Sequence, residues 1–437
     1  MLSDPRILVV AATDDRADAL CQGLDALGWR TVTARSAASG AATLKDLPLE
    51  AALVEVEGLA PGVVTALRDA ALPRRLPVIV VGAPGAADAE AADLVMRAMP
   101  HPAQAALRLE QLSRAAIAQE EFNLRRQTFA AREVLLSADT ETEAPIRVLA
   151  AGAADRRFLA LSNALTEQGA EVVAAPTPYT AFDYLHESAF DAAILWGGED
   201  HAPALSIASG MKRNTRLYHI PLVLYLRGSG EINLSELYNR GLADVATAET
   251  SEDETAARVM GLARTHRRDQ AVRRALDAVR TSGLMDPSTG LFTPDLFAAH
   301  LTRVAQGSRA RKRALSACVL RVADTEAVRA ARQGGWLDRA MPQIGAMVSR
   351  LVRVEDTAAR LASEVFALAL PATSGPAARL AAERIAAVIG CTAFDAGPDR
   401  SPFVVEFDVG CAELGADVSP AALLELASAN LTRRVEV

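Results

Sequence analysis

Two stretches of this chain share one layout. RILVVAATDDRADALCQGLDALGWRTVTA (6–34) and RVLAAGAADRRFLALSNALTEQGAEVVAA (147–175) each read as a buried strand, an amphipathic helix and a second strand. Each runs on through a helix into a third apolar strand, AALVEV (51–56) or DAAILW (191–196). After a proline comes a fourth, in LPVIVVG (76–82) or IPLVLYL (220–226). Strands that are apolar throughout have no solvent face, so both sides must be covered. Alternating with helices, they predict a parallel, doubly wound sheet, here made twice. Such sheets hold ligands beyond the carboxyl ends of their strands.

The 437 residues suffice for about three domains of roughly 100–200 residues. Between the repeats lies a predicted long helix (101–135) whose apolar spacing suits packing on another helix, then the polar break SADTETEAP. A second helical connector (255–283) leads into the last third. That third reads as a strand around 314–322, a helix, the hairpin RVEDTAARLASEVFALALP (353–371), a helix over 376–390 and a strand near 402–412. This pattern predicts α+β around an antiparallel sheet. The expected domains are 1–140, 141–272 and 273–437.

A net charge of −8 argues against nonspecific binding to nucleic acid or anionic membrane. Cys21, Cys318, Cys391 and Cys411 form no CxxC pair and fit a reducing compartment. The N-terminus has no basic leader pattern, and no run approaches about 18 apolar residues. A soluble, cytoplasmic protein without membrane insertion is expected.

The ends of the repeat strands decide what the parallel sheets can do. In the first repeat Ala11, Ala12 and Thr13 follow the first strand, Glu55 ends the third, Gly82 the fourth, and Met99 stands near the fifth. In the second the corresponding residues are Gly152 and Ala153, Trp196, Leu226 and Ala248. Both repeats resemble response-regulator receiver domains. That family needs an acidic pair for Mg²⁺, a phosphoacceptor Asp, a Ser or Thr and a Lys at these places, because Mg²⁺ demands oxygen ligands. The resemblance therefore implies degenerate receivers that pack and dimerise without phosphorylation. Glu55 reads either as an imitation of phospho-Asp or as a polar remnant at a strand end. Asp14, Asp15 and Asp155 fall where acidic residues begin a helix.

The last third carries DPSTGLF (286–292), VEFDVGCA (405–412), and Arg353, Asp356, Arg360, Ala362–Phe366 and Pro371 at fixed spacing. In this it resembles the GGDEF domain of diguanylate cyclases; with two receivers ahead, the order is that of PleD-type regulators. The family's chemistry joins two GTP molecules with metal ions that neutralise the triphosphate. By that likeness Arg321 replaces a metal-binding Asp, Ala323 the next one, and Arg329 an Asn that grips guanine. A guanidinium in place of a carboxylate repels Mg²⁺. Ala362 and Ser363 replace the paired glycines that admit phosphates. Glu364 keeps one carboxylate and Val365 loses the second. No metal and no catalysis are expected.

The resemblance also implies that Arg353 and Asp356 form the family's product-binding RxxD site for cyclic di-GMP, with Arg384 in AAERIAAV as a further contact. A planar guanidinium donates two bonds to guanine O6 and N7, and a carboxylate accepts from N1–H or N2–H. A bare RxxD occurs three times, at Arg274/Asp277, Arg321/Asp324 and Arg353/Asp356; only the last has the required offset from the hairpin. An ordinary surface ion pair, worth about 0–1 kcal/mol, is the plainer reading. The combination resembles alphaproteobacterial cell-cycle regulators that bind cyclic di-GMP and move to the cell pole. There they recruit, through an adaptor, a transcription factor for degradation by ClpXP. The expected function is a non-enzymatic cyclic di-GMP receptor, a homodimer that controls protein docking. A divergent active cyclase and a ligand-independent dimeric scaffold are the rivals.

Overall fold

The computed structural model describes residues 5–13, 17–138, 144–197, 201–214, 216–227, 233–397 and 400–433, without the side chains of Ser235 and Arg433. Asp14 and Asp15 lie outside these residues.

Two five-stranded sheets are parallel throughout. The first holds β1 (Arg6–Val10), β2 (Arg30–Ala34), β3 (Ala51–Glu55), β4 (Val78–Val81) and β5 (Leu94–Met96), in the order β2-β1-β3-β4-β5. Its helices are α1 (Ala17–Ala26), α2 (Ala37–Asp46), α3 (Val63–Ala71) and α4 (Ala86–Ala91), followed by the long α5 (Pro102–Ala130). The second holds β6 (Ile146–Ala151), β7 (Ala170–Ala175), β8 (Ala192–Trp196), β9 (Leu222–Leu226) and β10 (Asp244–Thr247) in the equivalent order. It alternates with α6 (Arg156–Glu167), α7 (Pro178–Glu187), α8 (Ala202–Arg213) and α9 (Leu234–Asn239), ending in α10 (Glu252–Ala278). Every residue of β3, β8 and β9 is buried, which is why these strands are apolar from end to end. The 2-1-3-4-5 order is that of flavodoxin-like folds. Asp155 caps α6, accepting from Phe158 N–H at 2.8 Å, as its place after β6 predicts.

The third sheet is antiparallel, with order β12-β13-β11-β14-β15. Its elements are α11 (Pro294–Arg311), β11 (Leu315–Val322), α12 (Glu326–Gln333), α13 (Trp336–Leu351), β12 (Thr357–Ala362), β13 (Val365–Pro371), α14 (Gly375–Gly390), β14 (Phe407–Glu413), α15 (Pro420–Ala429) and β15 (Thr432–Arg433). Alternation along β11 divides two cores. Cys318, Leu320 and Val322 face α13 and α14. Leu315 and Ala317 face α11, α15 and the tail of α5, where Phe122 and Phe129 are buried. The fold class is thus two doubly wound parallel sheets followed by an α+β domain.

Two boundaries differ from the sequence reading. The strand placed near 402–412 begins only at Phe407. Pro402 has no N–H for a ladder, and Phe403 instead pairs with Phe394 in an isolated bridge, with N–O distances of 2.9 and 2.7 Å. The helix over 101–135 stops at Ala130. Glu133 takes a left-handed φ of 60°, and Val134 N–H reaches back to Phe129 O at 3.1 Å.

Two compact units result. Asp4–Ala115 with Asp139–Ala271 holds both parallel sheets, and Ala116–Ala138 with Val272–Val437 holds the antiparallel one. Within the first, α5 covers the edge strand β10 with side chains. Gln104 donates to Asp244 Oδ1 at 2.7 Å and Val245 O at 3.2 Å, and Gln111 to Ala243 O at 3.0 Å. Arg108 lies 3.8 Å from Asp244; burial draws its pKa down against the pull of that carboxylate.

Candidate functional site

In the antiparallel-sheet unit α13 ends at Leu351 and β12 begins at Thr357. The link between them is a tight turn. Asp356 N–H donates to Arg353 O at 3.2 Å, and the Asp356 carboxylate accepts from Arg353 N–H at 3.0 Å. Asp in this position closes a turn by supplying an acceptor to the backbone two or three residues away. Asp356 is 8% exposed and Arg353 half-buried. The structure therefore brings Arg353 and Asp356 together, and one carboxylate oxygen serves the turn itself. Arg384 stands on an exposed position of α14 and makes no hydrogen bond or ion pair with another described residue.

Behind the turn lies a buried polar chain that sequence reading missed. Arg125 of α5 donates to Asp356 O at 2.8 Å and to Thr357 Oγ1 at 3.1 Å. Thr357 Oγ1 donates to Glu121 Oε1 at 3.3 Å. Glu121 meets His300 Nε2 at 2.5 Å, and His300 Nδ1 meets the Thr128 hydroxyl at 3.1 Å. Burial opposes charge on Glu121, but His300, Arg125 and Thr357 outweigh it and hold its carboxyl below the usual glutamate value.

The ends of β11 and β14, the hairpin tip and α12 carry arginine–carboxylate pairs. Arg321 sits directly across from Asp408 in the β11–β14 register and contacts it at 3.0 Å. Ala323 is fully buried, its N–H donating to Glu406 O at 2.9 Å. The hairpin tip is the two-residue turn Ser363–Glu364, with Ala362 paired to Val365. Arg332 of α12 grips Glu364 with two bonds of 2.8 Å, a fork on a carboxylate. It also reaches Asp324 at 3.1 Å, which Arg329 contacts at the same distance. Bonds from Arg332 and then Arg329 hold the Asp324 carboxyl below its ordinary value.

Arg360, also in the opening motif, donates to Ser363 O at 2.9 Å and pairs with Asp286 at 3.3 Å. Arg332 and Asp408 went unread because the family pattern gives them no role, and Asp324 was read only as part of a bare RxxD with Arg321. Arg329 and Arg332, three apart on one helix, were the available signal.

In the second parallel sheet Trp196 is 5% exposed and filled in around. It stacks on Tyr225, centroids 4.0 Å apart and planes 7° off parallel, with Phe158 edge-on at 5.5 Å. Gly152 has φ +140°, and a Cβ there would lie 2.7 Å from Trp196 Cβ. Arg157 closes the strand ends, donating to Tyr225 Oη at 3.2 Å and Ala248 O at 2.6 Å. In the first sheet Glu55 is buried at the end of β3, 6% exposed.

No family model matches the sequence. No curated protein matches it either. Solved structures similar to part of the chain include the FimX GGDEF domain from Pseudomonas aeruginosa, 16% identical over 34% of this chain and 90% of that one, with a TM-score of 0.31. The GGDEF domain of DgcB from Caulobacter crescentus, in complex with c-di-GMP, is 18% identical over 34% and 84%, TM-score 0.31. A putative response regulator from Chloroflexus aurantiacus is 17% identical over 28% of this chain and 98% of that one, TM-score 0.26. These three are GGDEF domains and a putative response regulator.

Proposed function

We propose that this chain is a non-enzymatic receptor for cyclic di-GMP, bound at the Arg353–Asp356 turn with Arg384 as a further contact. What supports the reading most is a contrast within one unit. The turn is closed by its own carboxylate and buttressed from behind, while the former catalytic positions hold Arg321 against Asp408 and Arg332 against Glu364. A magnesium pair fits that second group badly: its carboxylates are engaged by guanidinium groups, and cation would meet cation. The receiver-like sheets serve as packing and dimerisation bodies, Trp196 occupying the acceptor place. By resemblance to PopA-type regulators, the loaded protein docks at the cell pole and presents a transcription factor, through an adaptor, for ClpXP proteolysis.

Calorimetric titration of the full chain with cyclic di-GMP tests this. Saturable binding is expected, and Arg353→Ala is expected to weaken it at least about tenfold, the lower end of what a bidentate Arg–guanine contact is worth. Absent binding, or equal binding by the variant, overturns the proposal.

A further inference from the structure

We infer that Arg125 and Glu121, in the tail of α5, are positioning residues of the dinucleotide site, and that ligand at the turn is registered as ordering of that helical tail. The inference rests on the reading of Arg353–Asp356 as a cyclic di-GMP site.

A surface turn needs no help from a distant helix, since water satisfies an exposed carbonyl. Here the Asp356 carbonyl takes its bond from a guanidinium 231 positions earlier in the chain. Arg125 is 2% exposed and Glu121 3%. Burying two charges is costly unless each is paired and bonded. The two pair directly at 3.5 Å, and their hydrogen bonds run on through the turn: Arg125 donates to Asp356 O and Thr357 Oγ1, Thr357 Oγ1 donates to Glu121, and the Glu121 carboxylate meets His300 Nε2 of α11. The same residue thus offers its carboxylate to the loop on one side and its carbonyl to α5 on the other. Thr357 Oγ1 both accepts and donates, so moving it disturbs both charged partners. A ligand that fixes Asp356 fixes the acceptor of Arg125, and a loose α5 tail leaves Asp356 badly placed for guanine.

The test is amide hydrogen exchange on the full chain with and without cyclic di-GMP, together with titrations of Thr357→Val and Thr357→Ser. Ligand is expected to slow exchange over residues 121–130 in the wild type, and not in Arg353→Ala. Valine keeps the shape of threonine but not its hydroxyl, so Thr357→Val should bind about tenfold more weakly and lose the α5 protection. Serine restores the hydroxyl and should recover both, a rescue that simple loss of packing would not give. Should Thr357→Val fail to fold, the wild-type exchange pattern still decides. If the wild type does not bind, the receptor reading falls and this inference with it. If it binds, but α5 exchange is unchanged and Thr357→Val binds normally, only the inference falls.

Discussion

Trp196 shows what one side chain does to a strand end. Its ring occupies the space between Phe158 and Tyr225, while Gly152, at φ +140°, has room for no Cβ because Trp196 Cβ and carbonyl oxygen would each lie 2.7 Å from it. Truncation in so closed a setting leaves a cavity, so Trp196→Ala is expected to cost about 3–5 kcal/mol in denaturant unfolding. A loss under ~1 kcal/mol would show the site collapsing freely. That Trp196 ends its strand was legible from the apolar run DAAILW. Its stacking on Tyr225 was not, because the partner lies on a neighbouring strand whose register only the folded sheet fixes. Cys318 and Cys411 are a similar case: scattered in sequence, they stand opposite each other on β11 and β14 with sulfurs 2.7 Å apart.

At the scale of elements, the hairpin β12–β13 is tied to the segment ahead of α11 by the Arg360–Asp286 pair. Burial works against ionisation of Asp286, but bonds from Thr289 and the charge of Arg360 prevail, so its folded pKa lies below its unfolded one. A depressed carboxylate stabilises fully above its unfolded value, and that contribution is lost as pH falls through the folded value. Asp286→Asn is therefore expected to lower the melting temperature at neutral pH and to make the acid-side decline shallower than in wild type. Parallel melting curves from pH 7 to 3 check this, and identical declines would refute it. The hairpin was legible through the family resemblance, from the spacing of Arg353, Asp356, Arg360 and Pro371. The buttress from α5 was not, since Glu121 and Arg125 look like any i,i+4 surface pair until the fold buries them.

For the whole molecule, no helix among the described residues is long and apolar enough to cross a membrane. For the non-enzymatic receptor proposed above, incubation with GTP and Mg²⁺ or Mn²⁺ is expected to yield no cyclic dinucleotide. Steady product formation would return the chain to the enzymes. The doubled parallel sheet was open to inspection because burial on both faces forces continuous apolar strands. The division of α5 was hidden: a single uninterrupted helix lends Ala116–Ala130 to the antiparallel body, and hydropathy shows no break there. That division carries a practical warning for anyone cutting the gene. A piece starting at 273 would forfeit Phe122 and Phe129, the latter set edge-on against Phe292 at 5.6 Å, and would strand His300 without its acid. What the numbering presents as a self-sufficient C-terminal third is a body missing a rib, and such a fragment would answer questions about damage rather than about signalling.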